Sequence, residues 1–399
     1  MNSAGPAGRS LHPAVATLAF VKLVVNTALR FVYPFLPAIA RGLGIDLTQA
    51  GVLMSVRWVS GLVAPAVLSS RGPIERSRAL LVWGLVIFTA GAVVTAWTGV
   101  FVGAIVGFAL LGLAKPMIEI SSRVYIAERV PYQSRARYLG ILEISWAGGL
   151  LIGAPLAGWL IENWSWETPF WMVGSMAALG IGLAVAYLDP NDEIASGLAV
   201  KASDSPDRQV LLLLVVIGLS GFGHESLLVV LGGWLEGSFG MTLLALGGVG
   251  TLIGVSELIG EGAMVGFTDR IGKRNSLALG LGVAGVALLG LSLVTGELGP
   301  ALSALAISTI ASEFGYISAI PLMTELRPRA RTRILALFAV ANAVGRIAAD
   351  LVAPRLFASV GMPGVTTMAA GAALLAALLV IVGVREVGKR DQIDLARSS

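Results

Sequence analysis

The chain has 399 residues, of which 56% are hydrophobic and 13% are charged, and its mean hydropathy is +0.84. A soluble domain carries roughly 25% charged residues, so this composition excludes one large soluble core and predicts membrane helices. The net charge of +4 is small and gives no indication of a nucleic-acid partner. Without cysteine, the chain forms no disulfide or thiolate metal site, and His12 and His224 are too far apart for metal-ligand spacing.

Twelve segments of the chain are long and apolar enough to cross a membrane, which takes about 20 residues. The first one contains Lys22 and is much longer than the apolar region of a signal peptide, so we expect it to be retained. The predicted spans are 14–38, 48–69, 79–97, 99–118, 138–161, 168–188, 209–235, 243–266, 276–295, 298–322, 333–358 and 363–384.

Lysine and arginine are distributed unequally between alternate connecting segments. With the N-terminus inside, 21 of the 28 lie in inner segments, and only Arg41 and Arg355 lie in outer segments. Five more lie within spans. Because cytoplasmic segments carry such an excess, we predict a multi-pass protein of the inner (plasma) membrane with both termini in the cytoplasm.

Residues 189–208 (DPNDEIASGLAVKASDSPDR) differ from every other connection because they are long and polar. We interpret them as a cytoplasmic linker between two six-helix halves, residues 1–188 and 209–399. The halves resemble each other at an offset of 197–199, so that Ser70-Arg71 corresponds to Asp269-Arg270. Such internal repeats are typical of secondary transporters.

The segment after the eighth span carries a specific motif. Gly266-Phe-Thr-Asp269-Arg270-Ile-Gly272-Lys273-Arg274 is similar to the G-x-x-D-R-x-G-R/K-R/K loop of the major facilitator superfamily. The first-half copy around Arg71 has Ser70 where that family has Asp. The resemblance implies that these loops gate the switch between inward- and outward-open states; the alternative is a basic anchor at the inner surface. The gating candidates are Arg71, Asp269, Arg270, Gly272 and Lys273.

The fifth span resembles the antiporter motif of proton-coupled exporters in the same superfamily. The matching residues are Gly140, Gly149, Gly153, Pro155 and Gly158. The proline is displaced by one position, and Ala157 replaces a glycine. The alternative is close helix packing and a proline bend. The fourth span departs from the antiporter pattern, because Phe108 stands where the family has an arginine before Gly112.

The resemblance covers essentially the whole chain. It implies an all-α membrane protein with twelve transmembrane helices in two pseudo-symmetric six-helix bundles. It also implies that the first, fourth, seventh and tenth helices line a central cavity.

Several charged and polar side chains recur every four residues within spans, and therefore share a helix face. Lys22, Asn26 and Arg30 do so in the first span, Lys115, Glu119 and Arg123 in the fourth, and Asn342, Arg346 and Asp350 in the eleventh. The alternative to a ligand site is a structural ladder in the fourth span and a structural Arg346–Asp350 pair in the eleventh. The substrate-cavity candidates are Asn26, Arg30, Lys115, Glu119, His224, Arg346 and Asp350.

Four glutamates within spans are candidates for proton coupling: Glu225, Glu257, Glu261 and Glu313. A charge at the bilayer centre costs at least about 2.5 kcal/mol. Glu257 and Glu261 lie one turn apart, and two such carboxylates in a low dielectric should not both ionise. One of them would then hold a proton near neutral pH, as a proton carrier must.

Gly280-Leu-Gly282-Val-Ala-Gly285 matches the dinucleotide-binding pattern G-x-G-x-x-G. That site needs a strand before the motif and a helix after it, whereas this segment lies inside an apolar span. We therefore expect these glycines, like Gly250 and Gly254, to serve helix packing.

Our leading interpretation is a proton-coupled secondary transporter that exports small amphiphilic or drug-like compounds by antiport. One alternative is a proton-coupled symporter that imports an organic anion, and a lipid or glycolipid flippase is a variant of either mechanism. From another class, a transporter-like receptor or assembly factor would bind without flux. The expected partners are a small-molecule substrate, protons and the lipid bilayer. We expect no enzymatic activity, cofactor, metal or nucleic acid, and a monomer.

Overall fold

The computed structural model describes residues 11–70, 76–190, 208–326 and 330–384, which form fourteen α-helices. Arg71 and residues 191–207 of the predicted linker lie outside the described residues. The helices are α1 (Leu11–Arg30), α2 (Val32–Leu43), α3 (Leu47–Ser70), α4 (Ser77–Thr98), α5 (Phe101–Arg129), α6 (Tyr132–Leu151), α7 (Gly153–Asn163), α8 (Thr168–Tyr187), α9 (Arg208–Phe239), α10 (Leu243–Ile271), α11 (Lys273–Leu293), α12 (Leu298–Leu326), α13 (Arg331–Val360) and α14 (Met362–Gly383).

The described residues contain twelve helices that are long and apolar enough to cross a membrane, which confirms the predicted number. The fourth predicted span, 99–118, was too short, because α5 continues to Arg129. The second half of α5 carries Glu119 and Arg123. Their charges lower the hydropathy, so the predicted span stops before them, but they do not interrupt the helix. The short turn before α5 is confirmed, and Gly99 makes it with a φ of 59°, a left-handed conformation that glycine adopts without strain.

Prolines break the first and fifth crossings into two helices each. Proline has no N–H, so it frees the carbonyl four residues earlier and bends the helix. Pro34 does this after Arg30, the last residue of α1, and Pro155 does it after Leu151, the last residue of α6. The hydroxyl of Thr251 donates to the carbonyl of Leu151 at 3.2 Å, so this freed acceptor is satisfied.

The chain divides into two compact units. The first comprises described residues of 1–199 and of 235–254, and the second comprises those of 200–234 and 255–399. In the first unit α1 packs against α6 and α8, and α5 packs against α3 and α4. In the second unit α11 packs against α12 and α14, and Leu213, Leu281 and Phe338 belong to its apolar core.

Glycines allow close helix approach in both units. In α11, a Cβ added at Gly280 would lie 2.6 Å from Gly315 of α12. The G-x-G-x-x-G segment is therefore helical and packs against a helix, as predicted. In the first unit, Cβ atoms added at Gly250 and Gly254 of α10 would meet Ala154 at 2.5 Å and Ala147 at 3.2 Å.

The glycines of the antiporter-like motif differ in their surroundings. A Cβ added at Gly149 would lie 2.8 Å from the carbonyl carbon of Asn26 in α1, and one at Gly153 would clash with Thr27. A Cβ at Gly158 would lie 2.6 Å from the carbonyl oxygen of Leu243. At Gly140 nothing lies within 4 Å. Three of the four glycines thus hold neighbouring helices close to the fifth crossing.

We expect Gly149→Ala to destabilise the protein by about 1–3 kcal/mol, the usual effect of overpacking a tight contact. Gly140→Ala is the matched control and should be neutral or slightly stabilising, because alanine favours helix over glycine. Thermal unfolding of both variants in detergent checks this. Equal unfolding midpoints would contradict the close α1–α6 contact.

Candidate functional site

A carboxylate of α6 joins two cations from other helices in the first unit. Lys22 Nζ of α1 and Arg123 Nη2 of α5 each lie 3.1 Å from Glu143 Oε1. Lys22 is almost completely buried, whereas Glu143 is half exposed. The crossing formed by α6 is thus tied to α1 and α5 by charge.

The polar stripe of α1 faces the same helix. Asn26 Nδ2 donates to Ser145 Oγ at 3.0 Å, and Arg30 Nη1 donates to the carbonyl of Trp146 at 2.9 Å. Arg30 also lies 4.3 Å from the centroid of the Trp146 ring. The spacing of four residues therefore places three polar side chains against α6, as expected for residues that share a face.

Lys115 occupies the middle of α5 and lies among aromatic rings. Its ammonium is 3.7 Å from Glu119 Oε1, one turn further along the helix. It is also 4.8 Å from the ring centroid of Trp146 and 5.8 Å from that of Trp58. Such distances are typical of cation–π contacts. Of the charge ladder predicted along α5, the Lys115–Glu119 pair lies within the helix, whereas Arg123 pairs with Glu143 on α6.

A buried ion pair ties α9 to α13 in the second unit. Arg346 Nη1 lies 2.5 Å from Glu225 Oε2, and the Glu225 side chain is fully buried. Arg346 Nε also donates to Asn342 Oδ1 at 3.4 Å. The helices can meet here because a Cβ at Gly345 would clash with the backbone of Gly218. Asp350, one turn further along α13, is also fully buried.

Three further titratable side chains of the second unit converge from three helices. His224 of α9, Glu257 of α10 and Glu313 of α12 each present one ligand atom, and these atoms lie within 4.8 Å of one another. The group forms because Gly260 brings α10 against α12, where an added Cβ would lie 2.8 Å from Glu313 Cβ. Such a group can hold a proton, and its spacing is also close enough for a metal ion.

Two neighbouring features complete the surroundings of this group. Glu261 lies one turn beyond Glu257 on α10 and is half-buried. Beside His224 is a small cavity whose lining includes hydroxyl-bearing side chains: Ser220, Ser308, Thr309 and Ser312.

The motif between α10 and α11 forms a tight corner. Gly272 has a φ of 89°, which explains why the pattern requires glycine there. Lys273 forms an ion pair with Glu325 at the end of α12, whereas Asp269 and Arg270 are exposed. Arg274 donates to the carbonyl of Ile381 at 2.6 Å.

The two units repeat some of these contacts. Arg78 donates to the carbonyl of Val185, and Arg274 donates to that of Ile381, with the same separation of 107 residues. These two contacts are offset by 196 residues, close to the repeat seen in the sequence. The pairs Lys22–Glu143 and Glu225–Arg346 also span 121 residues each, but their offset of 203 differs from the sequence repeat by about one helical turn.

Comparison with known proteins points to one family. The sequence profile of the Major Facilitator Superfamily matches residues 18–206. The uncharacterized MFS-type transporter YwfA of Bacillus subtilis is 24% identical over 377 residues, which are 90% of this chain and 89% of that protein. The chain is therefore similar to major facilitator superfamily transporters along most of its length.

Other relatives match over shorter regions. An uncharacterized MFS-type transporter of Mycobacterium tuberculosis is 27% identical over 252 residues, 63% of this chain, but the match spans only 33% of that longer protein. The multi-drug resistance efflux pump PmrA homolog of Lactococcus lactis is 26% identical over 276 residues, 64% of this chain and 66% of the relative.

Solved structures of two transporters share the fold. A D-xylose-proton symporter superposes with a TM-score of 0.70 at 18% identity, covering 94% of this chain and 98% of that one. A peptide transporter POT in complex with sulfate superposes with a TM-score of 0.76 at 14% identity, covering 92% and 93%. With its twelve apolar helices, the protein is a multi-pass membrane protein that has the helical fold of these transporters.

Several residues of these clusters were not among the predicted site residues. Trp146 contacts Arg30 and Lys115, which were predicted. Glu143 joins Lys22 to Arg123, and Arg57 donates to the hydroxyl of Tyr33 at 2.7 Å. The sequence signal for Glu143 is an acid inside an apolar span, where a charge usually has a partner.

We expect Glu225→Ala to lower the free energy of unfolding by about 3–5 kcal/mol, because it leaves the charge of Arg346 buried. Adding Arg346→Met should recover most of this loss. Glu236→Ala is the matched control, since it breaks a 2.9 Å pair with the largely exposed Arg41 and should cost no more than about 1 kcal/mol. Thermal unfolding of the wild type and the three variants measures these effects, and equal losses for Glu225→Ala and Glu236→Ala would exclude a buried pair.

Proposed function

We propose that this protein is a proton-coupled transporter that exports small amphiphilic or drug-like compounds by antiport. The observation that carries the proposal is the convergence of His224, Glu257 and Glu313 from three helices of the second unit. Three proton-binding groups within 4.8 Å of one another form an arrangement that a proton can enter and leave.

The position of Glu257 favours a role in binding a proton. Glu257 is fully buried, and a charged side chain inside a membrane protein usually faces protein or a cavity rather than lipid. Binding of one proton would neutralise a negative charge that the membrane interior otherwise opposes. Glu261 lies one turn away on α10 and is the next carboxylate that the proton could reach.

The Glu225–Arg346 pair offers a way to convert protonation into movement. A proton on Glu225 turns the carboxylate into a neutral acid and leaves the guanidinium of Arg346 without that counter-charge. Arg346 would then favour a different acceptor, and Asp350 lies one turn further along the same helix. Because the pair joins α9 to α13, such an exchange would alter how these helices pack.

Hydroxyl groups offer a polar path to the proton site. Ser220 and Thr309 line the cavity beside His224, and Ser312 precedes Glu313 in α12. The rest of the lining is largely apolar, so a proton would leave along the hydroxyl-bearing side.

Export rather than import is supported by two observations. A relative at 26% identity is named a multi-drug resistance efflux pump homolog. The fifth crossing also carries the antiporter-like glycines, three of which form close helix contacts. Protons moving inward would drive export, and each charge moved across about 100 mV contributes about 2.3 kcal/mol.

A second candidate function is proton-coupled import of an organic anion. It is favoured by the cations of the first unit, where Lys22, Arg30, Arg57 and Lys115 lie within three crossings. Symport and antiport use the same proton group, so the direction of coupling has to be measured.

The organisation in the membrane is also part of the proposal. We infer two six-helix halves joined by residues 189–208, with both termini and the Gly266–Arg274 loop in the cytoplasm. The loop, including Arg71 in its first copy, would gate the transition between open states. The unequal distribution of lysine and arginine supports this orientation, and we expect a monomer.

Proton release on compound binding tests the proposal. Purified protein in weakly buffered detergent is titrated with ethidium, 2-naphthoate and chloramphenicol, a cation, an anion and a neutral compound, and the pH is recorded. We expect at least one compound to release protons from the wild type and not from Glu257→Gln or Glu313→Gln. Glu236→Gln, the same change at an outer ion pair, is the control and should release protons normally.

Other outcomes have definite meanings. Proton uptake on binding would support symport and contradict antiport. Release that is unchanged in both variants would move the proton site away from the His224–Glu257–Glu313 group. Binding without any pH change would remove proton coupling from the proposal.

A further inference from the structure

The crossings of the first unit carry an excess of positive charge. When α1 and α2 are counted as one crossing, five cations among its described residues lie at least six residues from either end of a crossing: Lys22, Arg30, Arg57, Lys115 and Arg123. The described residues at the same depth include two carboxylates, Glu119 and Glu143. Two carboxylates cancel two of the five charges, so a net positive charge remains in an apolar environment.

The buried arginines of the first unit lie beside the two tryptophans and donate to neutral groups. Arg57 donates to the carbonyl of Leu29 and to the hydroxyl of Tyr33, and its guanidinium lies 5.4 Å from the centroid of the Trp58 ring. Arg30 donates to the carbonyl of Trp146 and lies over its ring. Both guanidinium groups therefore add positive charge next to an indole.

Lys115 makes this positive charge accessible. Its side chain is 22% exposed at the middle of α5, a depth at which charged groups avoid lipid and face water or protein. The two tryptophans near its ammonium, Trp58 and Trp146, are half-buried. An accessible cation therefore lies beside two partly accessible aromatic surfaces.

We propose that Lys115 and Arg30, with Trp58 and Trp146, bind a small amphiphilic organic anion. The carboxylate, sulfonate or phosphate group would lie between the two cations, and the apolar body would pack on the indole rings. Arginine and lysine form strong charge-assisted hydrogen bonds with such groups, and indoles provide large apolar contact areas. The inference rests on the proposed function only in that the protein binds a small molecule, and it holds for export and for import.

Glu119 acts as the internal counter-ion that the ligand replaces. Its carboxylate is 3.7 Å from Lys115 and one turn away on the same helix. It neutralises Lys115 when no ligand is bound and competes with an incoming anion. Removing this carboxylate should therefore strengthen anion binding, whereas removing either cation should weaken it.

Isothermal titration calorimetry in a neutral maltoside detergent tests the proposal with matched ligands. The probes are 2-naphthoate, 3-phenylpropionate and decanoate, each compared with its neutral amide. We expect at least one carboxylate to bind the wild type about tenfold more tightly than its amide, as for a charged hydrogen-bond partner. Equal affinities across all three pairs would overturn the proposal without any variant.

Variants then locate the site. Lys115→Gln and Arg30→Gln should each weaken binding of the carboxylate about tenfold and leave the amide unchanged, and Glu119→Gln should strengthen carboxylate binding several-fold. Arg41→Gln is the control, because it removes one cation from the exposed end of α2. Size-exclusion chromatography confirms folding of each variant. Lys115→Arg should restore binding if Lys115→Gln loses it through charge.

The outcomes separate this inference from the proposed function. Anion binding that is abolished by Lys115→Gln, without any proton release, would support the site while contradicting antiport. Proton release by ethidium or chloramphenicol, with no preference for carboxylates over amides, would support antiport and overturn the anion site. Carboxylate affinities that are the same in Lys115→Gln and Arg41→Gln would also overturn it.

Discussion

The cost of placing charge inside a membrane constrains this structure more than any other factor. The chain crosses the membrane with charges far from the ends of its helices, and the structure meets that cost with pairs between helices. Lys22 and Glu143 join α1 to α6, and Glu225 and Arg346 join α9 to α13. Glycines such as Gly149 and Gly345 bring the same helices close together. Packing and charge pairing therefore depend on each other.

The two units carry an excess of opposite charge inside their crossings. Well inside the crossings, the first unit has five cations and two carboxylates, and the second has five carboxylates and one arginine. This asymmetry is the basis on which we propose a proton site in the second unit and a site for an anionic ligand in the first. Export of an anion in exchange for an entering proton moves two charges across the membrane, and a potential of 100 mV then contributes about 4.6 kcal/mol to transport. Symport of the anion with the proton moves no net charge. The voltage dependence of transport thus reports the direction of coupling.

Much of the fold could be predicted from the sequence because the bilayer imposes a length and a polarity on each helix. The residues that interrupt helices could also be recognised in the sequence, as at Gly99 and Pro155. The end of α5 could not be predicted from hydropathy, since Glu119 and Arg123 are charged yet lie within a helix. The spacing of Lys22, Asn26 and Arg30 predicted a shared face but gave no indication that it faces Glu143, Ser145 and Trp146. Similarly, His224, Glu257 and Glu313 are far apart in sequence, and they meet through a close approach at Gly260 that one sequence does not reveal.

The most direct test of the central claim is accumulation in proteoliposomes under imposed pH gradients. Ethidium, 2-naphthoate and chloramphenicol are supplied outside, and uptake is compared with protein-free liposomes and with the Glu257→Gln variant. The account predicts that an acidic interior drives accumulation of at least one compound by the wild type beyond both controls. Accumulation that requires an acidic exterior would show symport. Accumulation that is independent of the pH gradient, or that persists in Glu257→Gln, would contradict proton coupling through the His224–Glu257–Glu313 group.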